Sequence, residues 1–126
     1  MSNEADTIES ILLMSPENLL AKLTDEYQVT IPVAIEGVDD LEKIEQLLSR
    51  CSANYIFFTE AALHAEIRKK LLKKEGAEKT EIDDAISREK ILSTFADIEK
   101  SAYNAISRMM SAYSQRQYEI NMSKHN

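Results

Sequence analysis

The sequence predicts an all-α protein: a long antiparallel helical hairpin, coiled-coil-like, with short N-terminal helices and an extended linker. Two patterns carry that reading. Leu41, Ile44, Leu48, Cys51, Tyr55, Phe58, Ala62, Ala65, Lys69 and Leu72 are spaced alternately by three and four residues, the stripe of a helix packed lengthwise on another helix. A second apolar pattern, from Ile82 to Ile120, supplies the partner. Composition agrees, since two glycines and two prolines in 126 residues leave few breakers among helix formers.

Residues 1–36 read as an acidic helical segment followed by the linker. Ile8, Ile11 and Leu12 make a short amphipathic turn or two. Ser15 is a good N-cap and Pro16 suits the first helical position, where its missing N–H costs nothing. Leu19, Leu20 and Leu23 then face one way. Helices this short are marginal alone, so both must dock on something.

Residues 27–36 change period. Val29, Ile31, Val33 and Ile35 alternate with Thr30, Pro32, Ala34 and Glu36, which is a strand pattern. Pro32 cannot donate to a ladder, so a central strand is excluded. Two readings stay open: an extended linker lying on the helices, or an edge strand that pairs in trans.

Residues 37–122 form the hairpin. Asp39 starts the first long helix, with Glu42 three residues on in a capping-box layout. Gly76 ends it, and Lys70, Lys73 and Lys74 fall in its last turns, where cations favour the helix dipole. The helix should run to about Glu75, and Ser49, Ser52 and Asn54, weak helix formers near its middle, are where a kink or break would fall if it had one. Thr80 with Asp83 caps the second helix, and residues 123–126 form a frayed tail. The second helix has two overlapping seams. Leu92, Phe95, Glu99, Ala102, Ile106, Met109, Tyr113 and Ile120 form one; Ile91, Phe95, Ile98, Ala102, Ala105, Met109 and Ala112 form the other. One partner helix needs one stripe, so the spare stripe, centred on Ile98, Ala105 and Ala112, is a candidate protein interface. Either the N-terminal helices or a second chain covers it.

Charge is divided unevenly. Residues 1–45 carry eleven acids against Lys22 and Lys43, whereas residues 46–126 carry thirteen basic and eleven acidic residues. The acidic part repels phosphate backbones, so any nucleic-acid contact falls to the other part. There the candidates are Arg68, Lys69, Lys70, Lys73 and Lys74 near the turn, joined by Arg116 and Tyr118 toward the C-terminus. Single-strand binders mix guanidinium groups with stacking aromatics in this way. Tyr103 and Tyr113 border the seam and read as packing residues.

No catalytic, cofactor or metal signature appears. Glu60 and His64 have the wrong spacing for a di-iron carboxylate site and read as a solvent-exposed ion pair. Two histidines and one cysteine are too few for a structural zinc site within one chain. Asp83–Asp84 and Asp97/Glu99 do not converge on a helix and read as capping and solvated-face groups. No glycine-rich phosphate loop or nucleophile elbow is present. Cys51, the single cysteine, sits on the seam as a small buried hydrophobe and fits a reducing cytoplasm. No apolar run is long enough to span a membrane.

The order of an acidic arm, a helix with Tyr55 and a basic end at Arg68 to Lys74, a short turn, and a long helix bearing Tyr103, Arg108, Arg116 and Ile120 resembles small helical-hairpin proteins of bacteriophages and prophages, including recombination mediators that load a recombinase on single-stranded DNA. The likeness covers about residues 50–122 and lies in layout; the overall acidity and the first 45 residues depart from it. It implies a non-enzymatic, self-associating accessory protein of phage or mobile-element DNA metabolism, with weak single-stranded DNA contact, in the cytoplasm of a bacterial host. The alternative is a purely protein-binding component, such as an assembly factor or an inhibitor of a host enzyme.

Overall fold

A computed structural model describes residues 7–27 and 37–124, apart from the side chains of Val38 and Asp39. Among the described residues four helices follow one another: α1 (Ile8–Leu12), α2 (Pro16–Glu26), α3 (Val38–Glu75) and α4 (Lys79–Lys124). No strand occurs among the described residues. The readings of residues 28–36 as linker or strand lie outside the described residues, as does His125.

Local chemistry sets most of the boundaries. Thr7 caps α1 by accepting from Ser10 N–H, and Ser15 caps α2 by accepting from Asn18 N–H, with Pro16 at the start of the helix. Gly76 ends α3 in the left-handed region at φ 72°, and its N–H reaches the Leu72 and Lys73 carbonyls. Two starts differ from expectation. Gly37 is the N-cap of α3 and makes no side-chain cap bond, so Asp39 lies inside the first turn. Likewise α4 starts at Lys79, which puts Thr80 within the first turn instead of at the cap. As expected, α3 runs to Glu75, unbroken through the weak helix formers Ser49, Ser52 and Asn54. Tertiary packing overrides their low propensity there. At the far end α4 continues through Ser123 and Lys124.

α3 and α4 pack antiparallel along their length. The side chains that α3 buries most deeply are Ile44, Cys51, Phe58, Ala61 and Ala65, and four of these step by seven. α4 buries Ala85, Leu92, Glu99 and Ile106 at the same step. Cys51 meets Glu99, so the two rows come level as Ile44 with Ile106, Phe58 with Leu92, and Ala65 with Ala85. α4 therefore runs past the first turn of α3 near residue 112.

α1 and α2 close one side of this hairpin. Ile11, Leu12, Leu19 and Leu23 join Phe58, Ala61, Ala65, Leu92 and Ala96 in one cluster. Tyr27 lies edge-on to Phe58 at 4.9 Å, and Phe95 meets the same ring at 5.7 Å. A smaller cluster of Ile44, Cys51, Ala102 and Ile106 holds the other end.

Phe58 is the residue on which both the hairpin and the N-terminal helices converge. Phe58→Ala should cost about 3–5 kcal/mol, and Ile44→Asp should unfold the hairpin because it buries an unpaired charge. Glu45→Ala, at an exposed position, should stay within about 0.5 kcal/mol. Urea unfolding followed by circular dichroism separates them; equal midpoints would refute the seam.

Candidate functional site

Among the described residues, chemistry-bearing side chains meet in a polar layer inside the hairpin, at Arg88 beside the N-terminal helices, at the basic end of α3, and on the outer faces of the two long helices.

The polar layer lies between the two apolar clusters. Glu99, only 1% exposed, faces α3, where Asn54 Nδ2 donates to its Oε1 at 3.2 Å and the Cys51 thiol shares a hydrogen bond with the carboxyl. Glu99 Oε2 is buried with no hydrogen-bond partner. Burial drives the Glu99 pKa above the ordinary carboxylate range, while Asn54, Cys51 and the charge of Arg50 oppose that rise. The thiol responds in kind: burial first, then the charge and hydrogen bond of Glu99, push Cys51 up to about 11. It stays a neutral donor. Glu99 therefore does not belong to a solvated face, as its neighbourhood with Asp97 suggested. A one-sequence reading places it on a seam but cannot see Asn54 opposite it.

A second buried charge joins α4 to the N-terminal helices. Arg88 donates from Nη1 to the Met14 carbonyl at 3.2 Å, and burial pulls its pKa down, with Arg68 acting in the same direction and Asp84 against it. Nothing in the sequence pattern singled Arg88 out.

The basic candidates do not form one surface. Lys69 is half-buried and pairs with Glu89 at 2.6 Å, bridging α3 and α4. Lys70 pairs with Glu66 at 3.0 Å on the same helix. Arg68, Lys73 and Lys74 are exposed. Arg116 and Tyr118 lie in the part of α4 that runs past α3, with the Arg116 guanidinium 5.8 Å from the Tyr113 ring centroid. At 1.5 Å per residue that group sits about 50 Å from the basic end of α3. Tyr113 packs as expected, whereas Tyr103 is exposed and borders a groove with Leu48, Ser52 and Ile56. Glu60 and His64 are both exposed, and no ion pair joins them among the described residues.

The spare stripe of α4 is covered only in part. Ile91 and Phe95 pack against the cluster that holds α1 and α2. Ile98 remains 53% exposed, Ala112 is exposed, and Ala105 is half-buried. The N-terminal helices thus reach the first part of the stripe and stop short of Ile98.

A different apolar row stands out on α3. Ile56, Leu63, Ile67 and Leu71 are each 51–57% exposed. Their spacing of seven, four and four puts them on one stripe, on the opposite side of α3 from Phe58 and Ala65. This row was within reach of the sequence, but the stronger seam drew the periodicity to itself.

Among the described residues, no three His, Cys, Asp or Glu side chains come together in a way that could hold a metal ion. No described helix is long and apolar enough to cross a membrane. Comparison with protein-family models, curated proteins and solved structures finds no match.

Two measurements check the polar layer. With a pKa near 11, thiolate at about pH 8 is on the order of a hundredfold scarcer than for an ordinary thiol, so native Cys51 should react with Ellman's reagent far more slowly than in urea. Comparable rates would refute the burial of the thiol. The second concerns Glu99. Because its folded pKa is raised, its contribution is complete below the ordinary carboxylate range and is lost as pH rises through the folded value. Glu99→Gln, which cannot ionise, should melt close to the wild type near about pH 4 and a few degrees higher near about pH 8. A difference that does not grow with pH would refute the account.

Proposed function

We propose that this chain is a non-enzymatic helical binding module whose partner is protein, recognised through the outer face of α3. The apolar row Ile56, Leu63, Ile67 and Leu71 carries this reading. These side chains lie in line, half-exposed, on a helix whose seam face is already occupied. In-line aliphatic anchors at helical spacing are what one helix offers another, and an apolar row on a surface marks an interaction site.

The disposition of the charged groups supports protein over nucleic acid. Two of the five cations at the basic end are engaged by Glu89 and Glu66, and the aromatic and arginine pair at the other end is too distant to extend the same track. Binding is also favoured over catalysis by where the reactive groups lie. Cys51 is buried and neutral, and Glu99 is sealed in the seam beside it, where no substrate could reach either.

A labelled single-stranded oligonucleotide tests the choice of partner class. Fluorescence anisotropy should not change on adding the protein, even at about 20 mM salt, where phosphate contacts are strongest. A rise that weakens steeply with salt, and is lost in the triple variant Lys70→Glu, Lys73→Glu, Lys74→Glu, would overturn the protein-binding reading in favour of nucleic acid.

A further inference from the structure

The outer face of α3 carries more than an apolar row. Ile56, Glu60, Leu63, Ile67, Lys70 and Lys74 are all exposed and follow one another at steps of four, three, four, three and four. That is the same alternation as the inner seam, and it makes a second coiled-coil stripe on the far side of the helix. Read in order, the stripe is apolar, acidic, apolar, apolar, basic, basic.

That order is complementary to its own reverse. With a second copy running antiparallel and the two-fold axis level with Ala65, Leu63 meets Ile67 of the second copy and Ile67 meets its Leu63. One turn further out Glu60 faces Lys70, and beyond them the aliphatic stem of Lys74 covers Ile56 while its ammonium reaches water. Each contact occurs twice, as a two-fold interface requires. A parallel pairing would instead set Lys70 and Lys74 against themselves. On the stripe itself the exposed acid Glu60 precedes Leu63 and the exposed cations Lys70 and Lys74 follow it.

Resting on the protein-binding reading above, we propose that the outer face of α3 docks a second copy of this chain, antiparallel, with Leu63 and Ile67 at its centre and Glu60 facing Lys70. Lys70 exchanges its pairing with Glu66, a surface contact within one helix that holds it only lightly. The stripe is about five turns long, so the interface falls at the small end of specific contacts, and the dimer is weak and reversible.

Sedimentation equilibrium of the full chain from about 10 µM to about 1 mM should show a monomer–dimer equilibrium. Leu63→Lys with Ile67→Lys should leave only monomer, with the thermal melt unchanged because both side chains are already half-exposed. Should that variant prove unstable, charge exchange decides. Glu60→Lys and Lys70→Glu should each weaken the dimer about tenfold, since either change places two like-charge pairs in it. The double variant should restore it, because ten residues apart on one helix the two groups can meet only across chains. Monomer at every concentration overturns the proposal, as does a dimer indifferent to Leu63→Lys with Ile67→Lys, or a double variant no tighter than the singles. A monomer whose oligonucleotide titration is silent removes the second copy and leaves the protein-binding reading standing; a positive titration removes that reading itself.

Discussion

Everything in this molecule hangs on two rows of side chains that step by seven along helices packed antiparallel. A step of seven keeps a row facing its partner only if both helices coil gently about each other, and α3 and α4 maintain it across four levels. Three of those levels are apolar or small. The fourth, Cys51 with Glu99, is polar, and it governs how the other three align. Sliding one helix by a heptad would keep aliphatic facing aliphatic in places, but it would carry Glu99 away from Asn54 and Cys51 into a wholly apolar level. An unpaired buried carboxylate costs several kcal/mol, so the shifted register is excluded. Burial opposes the charge while the amide, the thiol and Arg50 support it.

A hairpin of two helices has two sides, and this one treats them differently. Leu19 and Leu23 of α2 fill the side on which Phe57, Phe58 and Phe95 lie, and Arg88 ties the α1–α2 corner down through the Met14 carbonyl. Arg50 reaches the last carbonyl of α2, at Glu26. On the other side, among the described residues, the Lys69–Glu89 bridge joins the long helices. Covering one side frees the back of α3 from any role in the monomer's core, so its Ile56, Leu63 and Ile67 contribute little to folding. Their hydrophobic character calls for another explanation, and a docking face supplies one.

The long helices and their seam were legible because a three-four repeat sustained for thirty residues has few alternatives. Ser15, Pro16 and Gly76 likewise declared the helix ends through chemistry that acts within three or four residues. The starts at Val38 and Lys79 were misplaced by one or two residues, since an acid or a threonine near a helix start serves the first turn as readily as the cap. What escaped depends on pairs far apart in the chain. Glu99 is bound by residues on another helix, Arg88 by a carbonyl in the α1–α2 corner, and Lys69 by Glu89 across the hairpin. A single sequence shows the spacing of each group and not its counterpart. The basic cluster looked like one patch for the same reason, because nothing local reveals that Glu89 and Glu66 divide it.

The charges of α3 serve two masters. Acids toward its N-terminus and lysines toward its C-terminus suit the helix dipole, and that alone accounts for Lys73 and Lys74 as residues of the last turns. The dipole acts only within the first and last turn, so it has no claim on Glu60, well inside the helix, and little on Lys70, which pairs with Glu66 one turn back. Neither belongs to the buried seam row of Ile44, Cys51, Phe58 and Ala65. Their placement at matching distances either side of Leu63 and Ile67 is what a two-fold contact needs, with direction written as charge and adhesion as aliphatic surface. A helix tuned only for solubility would mix the two signs along its outer stripe. Here Glu60 lies before the apolar centre and Lys70 and Lys74 after it, the arrangement on which the proposed antiparallel contact rests.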